Sequence, residues 1–252
     1  MTTASDAWLA AQVGGGLWRR IEWLASTGST NADLLAAARA GEPAGRVLVA
    51  DHQDAGRGRF DRVWQAPPAA MVAISVLLRP TIADAGRWSW LPLVAGLAVV
   101  DGLHAATGVD ARLKWPNDVL VGTHKICGIL VERTGDAAVV GMGVNTAMTP
   151  AQLPVPTATS LAAEGAPTEA PPLVAAILRS LEAWYRRWVD GDDLGNAYAA
   201  RSATIGRDVR VACSADETVD GHATGIDETG RLLVETGDGT RAFAAGDVWH
   251  LR

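Results

Sequence analysis

The chain has 252 residues, 48% of them hydrophobic and 20% charged, and its formal net charge is −6. That is an ordinary globular composition, long enough for one large domain or for one large and one small, and the acidic balance argues against broad nucleic-acid binding. Two cysteines, Cys127 and Cys213, cannot make a disulfide framework, and the five histidines lack zinc-type spacing, so no metal held by the protein is expected. With no secretory h-region and no apolar run of about twenty residues, the expectation is a cytoplasmic protein without a membrane partner.

Residues 1–16 end in Gly14-Gly15-Gly16 and read as a flexible or loosely docked arm. Leu17 to Leu24 predict a strand. Ser26-Thr27-Gly28-Ser29-Thr30-Asn31 then precedes a helical run, Ala32 to Arg39. Small hydroxyl and amide residues there are N-caps by default, and a helix N-terminus also offers free N–H groups to a ligand. Val47 to Ala50 predict a buried strand. It feeds Asp51 to Trp64, where Arg57, Arg59 and Arg62 are interleaved with Gly56 and Gly58. Glycine lets backbone N–H groups approach a ligand, and arginine's fork of donors matches phosphate or carboxylate. The stretch is either a loop that wraps an anion or an exposed basic turn, and taken alone it does not decide.

Met71 to Leu78 predict a second buried strand, and Trp88 to Thr107 a long apolar helix with Pro92 near its first turn. Arg112 to Trp115 predict a short strand ended by Pro116, followed by strands at Val119–Val121 and Lys125–Arg133. Ala137 to Val144 is expected to pair with the last of these across Thr134-Gly135-Asp136. Consecutive strands joined by short turns imply an α+β fold with a mixed or antiparallel sheet flanked by helices. After a Pro-, Ala- and Thr-rich stretch from Thr149 to Pro172 come helices at Leu173–Val189 and Leu194–Ser202. From Ile205 onward four short strands separated by turn signals predict a small closed β-barrel docked on the main unit.

Several chemistries are excluded. No Gly-Lys pair exists, so there is no Walker A motif; Gly141-x-Gly143 lacks a third glycine; no Gly-x-Ser-x-Gly elbow occurs. Cys127 lies mid-strand and reads as core. Of 22 basic residues only Lys114 and Lys125 are lysine, which points to a need for the ammonium there, with chance as the alternative. What remains is a set of anion- and amide-binding groups at strand ends: Ser29-Thr30-Asn31, Gln53, the 56–62 loop, Lys114-Trp115-Pro116-Asn117-Asp118, Lys125 with Gly128, and Gly141-Met-Gly143-Val-Asn145. In this order they resemble biotin–protein ligase, of the monofunctional type without a DNA-binding domain.

The resemblance implies a class II synthetase-like catalytic domain over 17–203 and an SH3-like C-terminal domain over 204–252. It implies ATP-dependent formation of biotinyl-5′-AMP, then transfer of biotin to a lysine of a biotin carboxyl carrier domain of an acyl-CoA carboxylase, with Mg²⁺ carried through the phosphates. Lys125 and Arg57 are the implied catalytic residues. The implied biotin-binding positions are Ser29, Thr30, Asn31, Gln53, Gly56, Arg57, Arg59, Trp64, Lys125, Gly128 and Gly143, with Trp115 as a further apolar wall. Those implied for ATP and the adenylate are Arg57, Arg59, Arg62, Lys114, Asn117 and Asn145. One departure stands out: Asp61 replaces the third glycine of the family loop. The glycines and the mutual repulsion of the arginines imply a lid that is mobile when empty. Lipoate–protein ligase and a non-catalytic biotin-binding sensor are the alternatives. About 16 residues before the first strand are too few for a helix-turn-helix unit, so DNA binding is not expected. The assembly expected is a monomer or weak homodimer.

Overall fold

Apolar runs rich in valine, isoleucine and leucine build the central sheet of a computed structural model that describes residues 4–82, 85–212 and 217–251. Its strands are β1 (Arg20–Leu24), β2 (Arg46–Ala50), β3 (Met71–Leu78), β4 (Ala111–Lys114), β5 (Asp118–Val121), β6 (His124–Thr134) and β7 (Ala137–Asn145). They lie in the order β1-β2-β3-β7-β6-β5-β4, with β1 parallel to β2 and every other pairing antiparallel. The expected mixed sheet of an α+β fold is therefore present, including the pairing of β6 with β7.

The two faces of this sheet differ, and the difference positions the site. On one face Val72, Ile74 and Val76 of β3 and Val140 and Met142 of β7 join a core covered by α3 (Leu91–Thr107) and α4 (Ala170–Val189). The other face starts apolar, with Leu77, Ala137 and Val139 under α2 (Thr30–Arg39). It then turns small: Ser75 pairs with Gly141, Ala73 with Gly143, and Gly143 with Gly128. Small side chains leave open space above the sheet where α2 begins.

Helix α3 is apolar and long enough, with the turn before it, to cross a membrane by composition, but 67% of its most apolar window is buried inside this fold. It crosses α4 closely at Gly102, where a Cβ would come within 2.6–2.8 Å of the side chain and backbone of Ile177. Gly102→Val should force the helices apart and cost about 3 kcal/mol, lowering the thermal midpoint by on the order of 5–10 °C in a calorimetric scan.

Residues 4–13, expected to be a flexible arm, form α1 (Ala4–Val13), with Leu9 and Val13 buried against the core. Their i, i+4 spacing is the helical signal that the glycine run after them obscured. The Asp6 carboxylate accepts from the Trp23 backbone N–H at 2.6 Å, tying α1 to the edge strand β1.

After α5 (Gly195–Arg201) the chain forms β8 (Asp208–Ala212), β9 (Thr218–Ile226), β10 (Leu232–Thr236), β11 (Gly239–Phe243) and β12 (Asp247–His250). These make a five-stranded antiparallel sheet in the order β11-β10-β9-β8-β12. Two expectations change. The run Ala242–Leu251 divides into the end of β11 and β12, and no pairing closes a barrel among the described residues. Cys213, Asp216 and the side chain of Asp61 lie outside the description.

This small sheet is fastened to the main unit by buried indoles. Trp115 Nε1 donates to the Gly230 carbonyl at 3.2 Å and Trp90 Nε1 to the Glu228 carbonyl at 2.9 Å. Trp115 is 1% exposed, so it belongs to the seam between the two sheets and not to a ligand wall.

Candidate active site

Above the small-residue floor lies a cleft of about 500 Å³. Ser29 caps α2, its hydroxyl accepting from the Ala32 N–H at 3.4 Å, so the helix N-terminus and its Thr30 and Asn31 open onto the cleft. Gln53, just past the end of β2, accepts at Oε1 from the Thr30 N–H at 2.9 Å and lies 3.0 Å from its hydroxyl. This end of the cleft is neutral and offers both donors and acceptors.

The glycine–arginine stretch is a short hairpin. Trp64 N–H donates to the Gly56 carbonyl at 2.9 Å, Arg57 bridges Val63, and Gly58 N–H donates to the Arg62 carbonyl at 2.7 Å. Gly56 is needed at its root, since a Cβ there would lie 2.4 Å from the Trp64 carbonyl. Gly56 thus shapes the loop from outside the cleft wall. The hairpin lays the Trp64 indole on the floor, where Cβ atoms at Gly128 and Gly143 would sit 3.0 and 2.8 Å from the ring. Trp64 Nε1 is buried without a hydrogen-bond partner, a donor aimed at no protein acceptor.

Each cation of the cleft has a partner. Arg57 donates to both oxygens of Glu132, at 3.0 and 3.1 Å. Arg59 donates to Asn117 Oδ1 at 2.9 Å and to the Gly246 carbonyl at 3.4 Å. Arg62 is bonded to Asp247. Lys125 Nζ lies 2.5 Å from Asp118 Oδ1 and 5.4 Å from the Trp64 ring centroid. Burial pulls the Arg59 guanidinium below its ordinary pKa, against the opposing pull of Asp247 and Asp118. The mutual repulsion expected of the lid arginines is offset here by Glu132 and Asp247, which the sequence did not single out.

Lys125 owes its direction to an irregularity. Simple alternation would put it on the core face with Cys127 and Ile129. The β5–β6 register shifts between Val119 and Leu120, so that Cys127 and Lys125 oppose consecutive residues. The extra residue, Ile126, is buried in the core, and the bulge turns Lys125 to the cleft. Cys127 is buried, and burial pushes its thiol up to about 12, which fits a core residue and not a nucleophile.

The structure thus brings together Ser29, Thr30, Asn31, Gln53, Arg57, Arg59, Arg62, Trp64, Asn117, Lys125, Gly128, Gly143 and Asn145 around one space. Asn145 spends its amide N–H on the Thr159 carbonyl at 2.8 Å. Lys114 does not line the cleft. It ends β4 near His250, whose pKa is lowered by burial first and then by Lys114 and Arg207. Gln65, Ser75, Thr157 and Asp247 line the cleft without having been placed there beforehand, and Glu132 reaches it through Arg57. Pro154 to Ala158 form a further wall, held by Lys125 N–H donating to the Thr157 carbonyl at 2.7 Å. Ser75 had a signal, as the one polar residue in β3.

Asp247 comes from the C-terminal sheet and holds the lid through Arg62. Asp247→Ala should raise the rate of tryptic cleavage after Arg62 several-fold, as expected when an exposed loop loses its anchor. Peptide mapping of timed digests measures it.

The profile of the biotin/lipoate A/B protein ligase family matches residues 23–145, and that of the biotin protein ligase C terminal domain matches residues 204–251. The chain is 43% identical over 244 residues to the biotin–[acetyl-CoA-carboxylase] ligase of Mycobacterium tuberculosis, covering 94% of this chain and 91% of that protein. It is 34% identical over 236 residues to the bifunctional ligase/repressor BirA of Bacillus subtilis, covering 89% of this chain and 71% of that protein. The biotin protein ligase of Aquifex aeolicus in complex with biotin and ATP superposes with a TM-score of 0.78 at 26% identity, covering 93% of this chain and all of that one. The fold is that of the biotin and lipoate ligase class. Within that class, the chain belongs to the biotin protein ligase family.

Proposed function

We propose that this chain is an ATP-dependent biotin–protein ligase whose catalytic unit spans residues 17–203. The observation that carries the reading is the polarity of the cleft. Four cations, Lys125, Arg57, Arg59 and Arg62, converge beside a neutral pocket made by Ser29, Thr30 and Gln53. A neutral cyclic urea fits one end, and two anions that must react with each other fit the other.

In the first half-reaction the biotin carboxylate attacks the α-phosphorus of ATP. The new carboxyl–phosphorus bond forms as the bond to the β-phosphate oxygen breaks, giving biotinyl-5′-AMP and pyrophosphate. Two anions repel, so the site must hold them together and take up charge that grows on the phosphoryl oxygens. Lys125 is placed to bridge carboxylate and α-phosphate with a compact ammonium. Arg57, Arg59 and Arg62 close over the phosphates, exchanging Glu132, Asn117 and Asp247 for phosphate oxygens. Asn117 and Asn145 face the same space and would hold the phosphates, ribose or adenine, and Trp64 would wall the apolar part of biotin. Mg²⁺ would be carried on the triphosphate, where it would screen the phosphate charge.

In the second half-reaction the neutral ε-amine of a carrier lysine attacks the mixed anhydride carbonyl. The amide forms, AMP leaves, and the ammonium proton passes to solvent. The carrier is the biotin carboxyl carrier domain of an acyl-CoA carboxylase, and the setting is the cytoplasm. The C-terminal sheet, residues 204–252, serves the reaction through Gly246 and Asp247.

Biotin-dependent exchange of labelled pyrophosphate into ATP tests the reading. Exchange with biotin and none with lipoate is expected. Exchange with lipoate alone would make the protein a lipoate ligase, and biotin binding without exchange would make it a sensor.

A further inference from the structure

The neutral end of the cleft and the first arginine of the lid are joined by one unbroken series of hydrogen bonds. Gln53 Oε1 takes both donors of Thr30. Ser75 Oγ, buried in β3, lies 2.7 Å from Thr30 Oγ1 and 2.7 Å from Asn31 Oδ1. Asn31 Nδ2 donates to Glu132 Oε2 at 2.9 Å and to the Leu130 carbonyl at 3.2 Å. Glu132 accepts both bonds from Arg57. Asn31 can lie this close to the sheet only because residue 141 is glycine, where a Cβ would fall 2.2 Å from Asn31 Oδ1.

We infer that Glu132 is a positioning residue: it fixes Arg57 through the same hydrogen-bond chain that shapes the ureido end of the cleft, so occupancy of that end and the setting of the lid are coupled. The inference rests on the ligase reading above. Three observations carry it. Glu132 follows Gly128 and Leu130 on the cleft face of β6, opposite Val139, where the face is otherwise apolar or small. Of the three carboxylates that hold cleft cations, it is the one bonded to the start of α2. The third observation concerns protons. Ser75 has one hydroxyl hydrogen and two acceptors at equal distance, and Thr30 has one that can turn to Gln53 or to Ser75. With the Thr30 hydroxyl on Gln53, the Ser75 hydroxyl can serve Thr30 or Asn31 but not both; with the Thr30 hydroxyl turned to Ser75, the Ser75 hydroxyl serves Asn31 and Gln53 keeps the Thr30 N–H. A ligand that engages Thr30 or Gln53 redistributes these hydrogens, and the change reaches Arg57 through Asn31 and Glu132.

A carboxylate can accept from Asn31 and Arg57 together. A glutamine of equal volume has one acceptor oxygen, and its amide nitrogen opposes the other donor, so Glu132→Gln breaks one link without opening a cavity. The experiment is calorimetric titration with biotin, without nucleotide, on the full chain and on Glu132→Gln, Arg57→Ala and the double variant, each first checked for an unchanged thermal midpoint. A second substitution, Ser75→Ala, interrupts the chain at its other side and guards against a variant that fails to fold. Each single change is expected to weaken biotin about tenfold, the size of one lost charge-assisted hydrogen bond. The double variant Glu132→Gln/Arg57→Ala is expected to bind no more weakly than its weaker parent, because both remove the same coupling. Multiplying losses, or wild-type affinity in Glu132→Gln, would overturn the inference while leaving the ligase reading intact. Absence of biotin binding by the unmodified chain would remove both.

Discussion

Lys125→Ala is expected to lower biotin-dependent pyrophosphate exchange by about a hundred- to a thousandfold, the usual consequence of deleting a group that stabilises charge only as the reaction proceeds. Its ammonium sits beside Asp118 at 2.5 Å and 3.2 Å from where a Cβ of Gly128 would project, over the floor on which ligand must lie. When two anions meet there, a compact cation between them offsets their repulsion most at the transition state. Stability should hardly change. The side chain is about a third exposed, and ion pairs of that exposure contribute roughly 0–1 kcal/mol. Lys125→Arg should rescue little, since a planar fork cannot replace a point charge that serves two partners. Initial exchange rates and a thermal scan on the same preparations check both halves. Near-normal turnover in Lys125→Ala would refute the assignment.

Gly143→Val should uncouple function from fold. A Cβ at residue 143 would lie 2.8 Å from the Trp64 indole, and valine adds two further methyl groups on the floor. Strand β7 itself favours a β-branched residue, so the thermal midpoint should hold or rise. The indole must instead shift upward into the space that ligand needs. Pressing the ring back beneath a ligand then meets the overpacking that the free protein avoids, about 1–3 kcal/mol, so biotin affinity should fall by as much as a hundredfold. Calorimetric titration beside a thermal scan separates the outcomes. Unchanged affinity would mean that the floor at Gly143 does not face biotin.

Much of this was legible in the sequence. β3 spans the apolar run Met71–Leu78, and Gly128 and Gly143, named through the resemblance, lie together on the cleft floor. The reason is local: apolar period and missing Cβ atoms act at the residues that carry them. What the sequence hid depends on long-range registry. Lys125 faces the cleft because a bulge breaks alternation, and no propensity at Ile126 announces it. Glu132 and Asp247 matter because they meet arginines 75 and 185 positions away. Trp115, in the most recognisable pentapeptide, looked like a ligand wall and is a fastener between the two sheets. Lys114, kept as one of two lysines, lies beside His250 and not in the cleft. The C-terminal unit was legible as a run of short strands, whereas the pairing of β12 with β8, distant in sequence, was not.

The central claim is that one cleft activates biotin with ATP and delivers it to a protein lysine. Intact-mass measurement of a biotin carboxyl carrier domain after incubation with the chain, ATP, Mg²⁺ and biotin tests it most directly. The account predicts a carrier heavier by one biotinyl group, formed only when all components are present and lost when the carrier's target lysine is replaced. A carrier of unchanged mass, under conditions in which the protein binds biotin and ATP, would contradict it.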